Sequence, residues 1–376
     1  MYQTPGITKK QTRLLGLCAA VALLAVGATA ATGRAAPTPY YQVQLEAAGR
    51  MQACMDAVKG YKAERDIPLS PEDTHQTGMI GEEFNLLTTT LGEIGAKRTT
   101  ANSDMAALAV KLLHQAGVQP GDTVGAGFSG SFPAMNLAVL TACDAMDVQV
   151  VYIVSMGSSV YGANNPDLTF PEMAWMLYED GYLESPPICY SIGGDYDVGL
   201  EMNPDMLETV LERLEAELPI PLFYEPDYTA NIEARIALYE ANGPIQAFIA
   251  VGGNTTSLGL TEGATSLGQG LISPRWNHRV LPYSGLVERY SAAGLPVINL
   301  LNIKKLVADY GLSFDPPQLP SPGESAIYYE TIYAWPVALC GMAALCGLAY
   351  GIRRAGRTLH LSLIHISEPT RLGMIS

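Results

Sequence analysis

Three short loops rich in glycine, serine and asparagine each follow an apolar stretch that has the length of a β-strand. Small residues of this kind leave backbone N–H groups accessible next to helix N-termini, and such groups attract anions. The same residues are also good helix caps and turn formers, which is the alternative interpretation. The loops predict a pocket for a carboxylate or a phosphate. The loop residues expected to bind this ligand are Ser129, Gly130, Ser131, Ser158, Asn164, Gly253 and Asn254.

The first of these loops is similar to a turn that carries a nucleophilic serine. Residues 127–131 read GFSGS and depart from the G-x-S-x-G pattern, because Ser131 replaces the last glycine. A serine nucleophile of this type needs a histidine as general base, and the candidates are His75 and His278. Catalysis by Ser129 or Ser131 is therefore an open alternative to binding.

Charged residues offer two further candidate sites. Arg275 and Arg279 lie in the densest cationic stretch of the middle of the chain and could hold a carboxylate through paired hydrogen bonds. The alternative is a surface loop with Trp276 turned inward. Asp195 and Asp197 follow a predicted strand and could hold a divalent cation, or they could form a solvated turn. No cofactor is predicted.

Apolar segments of strand length alternate with helical segments between residues 122 and 310, a pattern typical of a parallel sheet covered on both faces. We expect a doubly wound, Rossmann-like three-layer α/β domain over residues 67–331, with a possible break between half-units near 219–226. Ligands bind such sheets at the carboxyl ends of the strands, so the three loops should share one edge. A helical stalk is predicted for residues 33–66.

The predicted strands are residues 122–128, 149–155, 187–192, 246–251 and 297–301. The predicted helices are residues 133–146, 170–181, 204–217, 229–241, 286–293 and 304–310.

Two apolar runs, residues 14–32 and 332–352, are each long enough to cross a hydrocarbon core of ~30 Å. Basic residues border them on their outer sides, namely Lys9, Lys10, Arg13, Arg353, Arg354 and Arg357. Because Lys and Arg beside a span stay in the cytoplasm, we expect a protein of the cell (inner) membrane with residues 1–13 and 353–359 in the cytoplasm and the middle of the chain on the extracytoplasmic side. Residues 28–30 read ATA, so cleavage of the first run as a signal peptide is the alternative to an anchor.

The middle of the chain is strongly acidic. The chain has 22 Lys and Arg and 37 Asp and Glu; six basic residues flank the runs and one residue of each sign lies in the final tail, which leaves 15 against 36 and a formal charge of −21. Such a surface repels nucleic acid and anionic lipid. Three of the six cysteines lie in the middle without C-x-x-C spacing, which argues against a disulfide framework and a zinc site.

The last residues look like sequence of a different origin from the rest. Residues 361–371 read LSLIHISEPTR, which looks like the in-frame translation of a transposase sequencing adapter. We therefore leave residues 360–376 out of the fold prediction.

Most of the chain resembles the poly-gamma-glutamate system protein family, membrane-anchored components encoded with genes for capsule-type poly-gamma-glutamate synthesis. The residues that carry the resemblance are TTTLG at 88–92, AKRTT at 96–100, GFSGSFP at 127–133, GSSVYGANN at 157–165 and GGN at 252–254. The resemblance implies a role beside a membrane-bound ligase that joins glutamates through side-chain carboxylates. It transfers no catalytic residues. The chain lacks a G-x-x-x-x-G-K-[ST] loop and so is not itself the ATP-consuming ligase.

These observations predict an accessory membrane subunit of polymer synthesis or export. Its exported domain would bind glutamate-type carboxylates or the growing polymer, and its partners would be the ligase complex and the lipid bilayer, not nucleic acid. Two alternatives stay open. One is a surface hydrolase or transferase that acts on gamma-glutamyl amides, and the other is a scaffold for the membrane synthase that binds no ligand.

Overall fold

The structure is a computed structural model that describes residues 9–261 and 263–364. Its helices are α1 (Lys9–Ala30), α2 (Tyr41–Glu64), α3 (Ile94–Thr100), α4 (Asp104–Gln115), α5 (Pro133–Ala145), α6 (Phe170–Glu179), α7 (Pro204–Glu217), α8 (Tyr228–Tyr239), α9 (Thr255–Leu258), α10 (Gly263–Leu267), α11 (Leu286–Ala292), α12 (Ile303–Asp309) and α13 (Trp335–Ile364). Its strands are β1 (Arg34–Pro37), β2 (Thr123–Ser129), β3 (Gln149–Ser155), β4 (Cys189–Ser191), β5 (Leu222–Phe223), β6 (Phe248–Val251), β7 (Gly270–Ile272), β8 (Val297–Leu300) and β9 (Tyr329–Ile332).

The chain divides into two compact units, one formed by its two ends and the other by residues 37–329. In the first unit, β1 pairs with β9, and α1 and α13 are each long and apolar enough to cross a membrane, over Thr12–Ala30 and Trp335–Arg354. The two helices approach closely at Gly341, where an added Cβ would lie 2.5 Å from the Cβ of Ala25, as small residues allow. Both predicted runs are therefore helices of spanning length. The tail from residue 365 lies outside the described residues.

The second unit is an α/β structure built on a seven-stranded mixed sheet in the order β5-β4-β3-β2-β6-β8-β7. From β2, the chain adds β3, β4 and β5 on one side and then returns to the other side for β6 and β8. All of these pairings are parallel, and β7 pairs antiparallel with β8. The prediction of a wholly parallel sheet was wrong at this edge. The strand β7 has only three residues, too few to give a pattern.

Helices cover both faces of this sheet. Successive residues of a strand point to opposite faces, and in β6 the side chains of Ile249 and Val251 join one buried cluster while Phe248 and Ala250 join another. The near-continuous apolar strands follow from burial on two sides. The α/β class predicted from the alternation of segments is confirmed.

The helix α2 belongs to this core. A stalk would leave it exposed, but Met51, Cys54, Met55 and Val58 are fully buried among core residues. The reason is that its apolar positions recur every three to four residues and form one stripe. The prediction of a helix here was right and the prediction of a stalk was wrong. All six cysteines of the chain have free thiols.

Candidate functional site

The loops that follow β2, β3, β4 and β6 meet around a cavity of about 200 Å³ at the carboxyl edge of the sheet. The strand order reverses at β2, and the gap at such a reversal is where open α/β sheets bind ligands. Register places the ends of β2 and β3 side by side, since Ser129 pairs with Ser155. Residues 89–92 close another side of the cavity. The backbone N–H of Thr89 donates to the carbonyl of Ser158 at 2.8 Å, which holds this segment in place.

Ser129 and Ser131 line the cavity as a hydrogen-bonded pair. Their Oγ atoms are 3.0 Å apart, Ser129 Oγ accepts the backbone N–H of Ser131 at 3.2 Å, and Ser131 Oγ accepts the backbone N–H of Ser159 at 3.0 Å. The two hydroxyls carry two hydrogens, and only one can lie between them. The other hydrogen is therefore free to be donated to a ligand.

The third predicted loop brings Gly253 and Asn254 to the same cavity. The Asn254 side-chain oxygen accepts the N–H of Ser257 at 2.8 Å and caps α9. Its NH₂ group has no hydrogen-bond partner within the described part of the chain and remains a donor. The preceding Gly252 has a φ of +88°, and a Cβ there would lie 2.8 Å from the Cβ of Ser129. Only glycine allows the two loops to approach so closely.

The cavity also contains Lys97, which the sequence analysis did not single out as a site residue. Lys97 is only 3% exposed. Its Nζ donates hydrogen bonds to Ser159 Oγ at 2.7 Å and to the carbonyl of Ser131. The same Nζ lies 3.8 Å from the centre of the Phe132 ring. Burial lowers the pKa of Lys97 to about 7, because a charged amine is poorly solvated there. No carboxylate is within ion-pair distance of this amine among residues 9–261 and 263–364.

The neighbouring Arg98 is different. Its guanidinium holds Asp315 at 2.6 Å, and hydrogen bonding to that guanidinium lowers the pKa of Asp315. The sequence around Lys97 gave no sufficient signal. Its neighbours Gly95, Ala96, Thr99 and Thr100 are small, but Arg98 in the same stretch reaches Asp315, so the composition does not decide where the amine of Lys97 lies.

Asp195 lines the cavity, whereas Asp197 is buried in a network of its own. The Asp197 carboxylate accepts hydrogen bonds from Arg235 at 2.5 Å, Ser191 Oγ at 2.8 Å and Asn231 at 3.2 Å. The two aspartates therefore point to different surroundings. Among the described residues no group of three or more His, Cys, Asp or Glu is arranged to hold a metal ion.

Several predicted site residues lie elsewhere. Asn164 bonds the backbone N–H and carbonyl of Glu82 at 2.9 Å each, so it joins two loops and does not line the cavity. The Ser158 hydroxyl donates to the carbonyl of Gly130 at 3.1 Å, and both residues support the loop from behind. The predicted convergence of Ser129, Ser131 and Asn254 on one cavity is seen, and that of Asn164 is not.

The predicted cationic site is separate from this cavity. His278 contacts Glu288 at 2.7 Å, Arg275 donates to the carbonyl of Leu267 at 3.4 Å, and neither these residues nor Arg279 line the cavity. Trp276 is 72% exposed, so it is not turned inward. His75 contacts the carbonyl of Pro316 at 3.1 Å and also lies outside the cavity.

No histidine therefore stands beside Ser129 or Ser131 to act as their base, within the described ranges. The serine that contacts a titratable side chain at this cavity is Ser159, whose Oγ accepts a hydrogen bond from Lys97 Nζ at 2.7 Å. Comparison of the chain with family models, with curated proteins and with solved structures gave no match.

Proposed function

We propose that this protein is a membrane-anchored accessory subunit of a glutamate-polymer system and that its α/β unit binds a carboxylate in the cavity at the sheet edge. The observation that carries the proposal is Lys97. Its amine is buried at the cavity without a carboxylate partner among the described residues. A lysine whose charge is so poorly compensated favours an anionic ligand, since an opposite charge nearby restores the protonated state.

The neutral donors around Lys97 suit a carboxylate as well. One hydrogen of the Ser129–Ser131 pair and the NH₂ group of Asn254 are available for hydrogen bonds. The helix α5, of 13 residues, begins at Pro133 directly after this loop, and the positive end of a helix dipole favours negative charge. A carboxylate has two oxygens that can accept all of these donors.

The polymer system and the location are proposed on the sequence. The resemblance at residues 88–100 and 127–165 supports a role beside a poly-gamma-glutamate ligase. The basic residues at the outer ends of α1 and α13 support cytoplasmic ends with an extracytoplasmic, Rossmann-like domain. A reporter fused after Arg357 should show its activity on the cytoplasmic side of the membrane. A reporter inserted near Gly243 should show its activity on the outer side. Cytoplasmic labelling of the middle would contradict the topology.

Binding is tested by titration calorimetry on the detergent-solubilised full chain with glutarate and with gamma-linked diglutamate. Lys97→Met should weaken binding at least about a hundredfold, as for loss of a charged hydrogen bond at a buried site. The control Lys305→Met removes an exposed lysine that pairs with Asp309 and should bind as the wild type does. Equal affinity of the wild type and Lys97→Met would overturn the proposal.

A second function is favoured by the 2.7 Å contact between Ser159 Oγ and Lys97 Nζ. An uncharged lysine can take the proton of a serine that attacks a gamma-glutamyl amide, as in Ser–Lys pairs of acyl-transfer enzymes. The serine oxygen then bonds the acyl carbon, the C–N bond breaks, and the lysine returns the proton to the departing amine. The two functions differ in their pH dependence. Carboxylate binding needs protonated Lys97 and weakens about tenfold per pH unit above about 7, whereas acyl transfer needs neutral Lys97 and accelerates as the pH rises through about 7. Calorimetry and product analysis from pH 6 to 9 separate them.

A further inference from the structure

The lining of the cavity includes an exposed carboxylate, that of Asp195, as well as the buried amine of Lys97. The two side chains form no ion pair with each other within the described part of the chain. They lie on separate elements, Lys97 on α3 and Asp195 in the turn that follows β4. Two opposite charges held apart across a small space can each contact a different end of one ligand.

The turn that carries Asp195 has a costly backbone conformation. Tyr196 and Asp197 have φ values of +55° and +66°, in a region that residues other than glycine rarely adopt. The Asp197–Arg235 ion pair, with both residues fully enclosed, holds the turn in this state. Strain that is maintained by a rigid network is typical of functional positions. The Asp197–Arg235 network therefore fixes the backbone that follows Asp195.

A second carboxylate increases the negative charge at this side. Glu201 accepts the backbone N–H of Asp195 at 2.8 Å. Burial raises the pKa of Glu201, and the proximity of Asp195 raises it further. Glu201 is exposed and does not line the cavity, so a cationic group of a ligand would contact Asp195 and meet Glu201 only as a nearby negative charge. The cation would come from the ligand, because no lysine or arginine pairs with Asp195 or Glu201 in residues 9–261 and 263–364.

The size of the cavity limits the ligand. Pockets for drug-sized molecules are about 300–1,000 Å³, and this one is about 200 Å³. It suits a single small unit and not a segment of extended polymer. We propose that the cavity takes one α-amino acid unit, with a carboxylate of the unit towards Lys97 and its ammonium group towards Asp195. Two sources have this chemistry, a free amino acid and the amino-terminal unit of a gamma-linked chain.

This inference rests on the proposed carboxylate binding and adds recognition of the ammonium group. It is tested by titration of the full chain with glutamate, glutarate and N-acetylglutamate at pH 7. Glutarate lacks the amino group, and N-acetylglutamate has it without its charge. We expect glutamate to bind about fivefold more tightly than the other two, because the additional ion pair forms at an exposed carboxylate, where such pairs contribute little.

The variant Asp195→Asn should remove this preference while the affinity for glutarate stays within about threefold or rises, because a nearby negative charge is lost. Asp309→Asn removes the same charge from the exposed end of α12 and should keep the preference. Gamma-linked diglutamate and its N-acetyl form then identify the source. Tight binding of diglutamate with a free amino group indicates the chain end, and binding of glutamate alone indicates the free amino acid.

The failures are distinguishable. If the wild type binds none of these compounds, the proposed carboxylate site is overturned together with the inference. If it binds glutamate and glutarate equally, or if Asp195→Asn keeps the full preference for glutamate, carboxylate binding stands and the recognition of the ammonium group is overturned.

Discussion

Two buried cations near the same sheet edge have opposite surroundings. Arg235 is paired with Asp197 at 2.5 Å, donates to Asn231 and Ser191 at 2.8 Å each, and lies over the Phe223 ring. Lys97 has a hydroxyl, a carbonyl and a ring as its partners, and none of them is charged. The difference indicates which charge is part of the framework and which one is available. A buried ion pair satisfies itself, whereas a buried amine without a counter-charge is typical of functional sites.

The largest effect is expected when the buried ion pair between Arg235 and Asp197 is broken. Arg235→Met should lower the free energy of unfolding by about 3–5 kcal/mol, because it leaves the Asp197 carboxylate buried without a counter-charge. Urea denaturation of the full chain in detergent measures the change. The matched control is Arg50→Met, since Arg50 forms exposed ion pairs with Glu46 and Glu184, and its loss should cost at most about 1 kcal/mol.

The double variant Arg235→Met with Asp197→Asn provides the decisive comparison. It should be less destabilised than the sum of the two single variants, because no uncompensated charge remains. Additive losses would mean that the pair does not act as a unit, and the contrast with Lys97 would then lose its physical basis.

Lys97 should show the opposite behaviour in stability. Its folded pKa is about 7, and its unfolded pKa is near 10.4, so the unfolded chain binds more protons between these values. The contribution of Lys97 to the free energy of unfolding therefore rises with pH from about 7 to about 10.4, by up to about 1.4 kcal/mol per pH unit. Lys97→Met removes this dependence, so the variant should gain on the wild type at pH 7 and lose that advantage towards pH 10.

Urea denaturation of both proteins at pH 7, 8, 9 and 10 measures this difference, and groups common to both cancel from it. The exposed Lys305→Met variant should show no such trend. A constant difference between the wild type and Lys97→Met over the whole range would mean that the amine is not held in its desolvated state, and the contrast with Arg235 would be removed.

The sequence predicted the part of the site that topology determines. Loops after neighbouring parallel strands must share an edge, and so Ser129, Ser131 and Asn254 could be expected together. Lys97 could not be predicted to join them, because α3 precedes the alternation of strands and helices and only tertiary packing brings this helix to the edge of the sheet. The prediction that Asn164 lines the cavity was wrong for a related reason. Its loop is long enough to turn back, and its amide bonds Glu82.

For the fold as for the site, features with a regular local pattern were predicted and features set by tertiary packing were not. The strands β2 and β3 and the helices α5 and α7 were predicted within about one or two residues, because their patterns are long and regular. The short strands β5 and β7 contain two and three residues, which is less than one full alternation. Their positions depend on the neighbouring strand and not on their own sequence.

The smallest expected effect comes from the neutral hydrogen-bond donors of the cavity, and it can be compared with the effect of losing the Lys97 amine. Replacement of both Ser129 and Ser131 by alanine removes two hydroxyls that contact each other and line the cavity, but leaves Lys97 and the backbone N–H groups in place. Each hydroxyl contributes about 1 kcal/mol at most, so carboxylate affinity should fall near tenfold or a little more. Lys97→Met should cost more than this, because a charge contributes more than neutral donors do.

Calorimetry with glutarate measures the loss, and Ser321→Ala, at an exposed position, is the matched control. If one of these serines were instead a nucleophile, the double variant would lose turnover by a factor of thousands and would keep its affinity. That outcome is hard to reconcile with the geometry, because no histidine of the described chain lines the cavity. Turnover that survives in the double variant but disappears in Ser159→Ala would assign the chemistry to the serine that contacts Lys97.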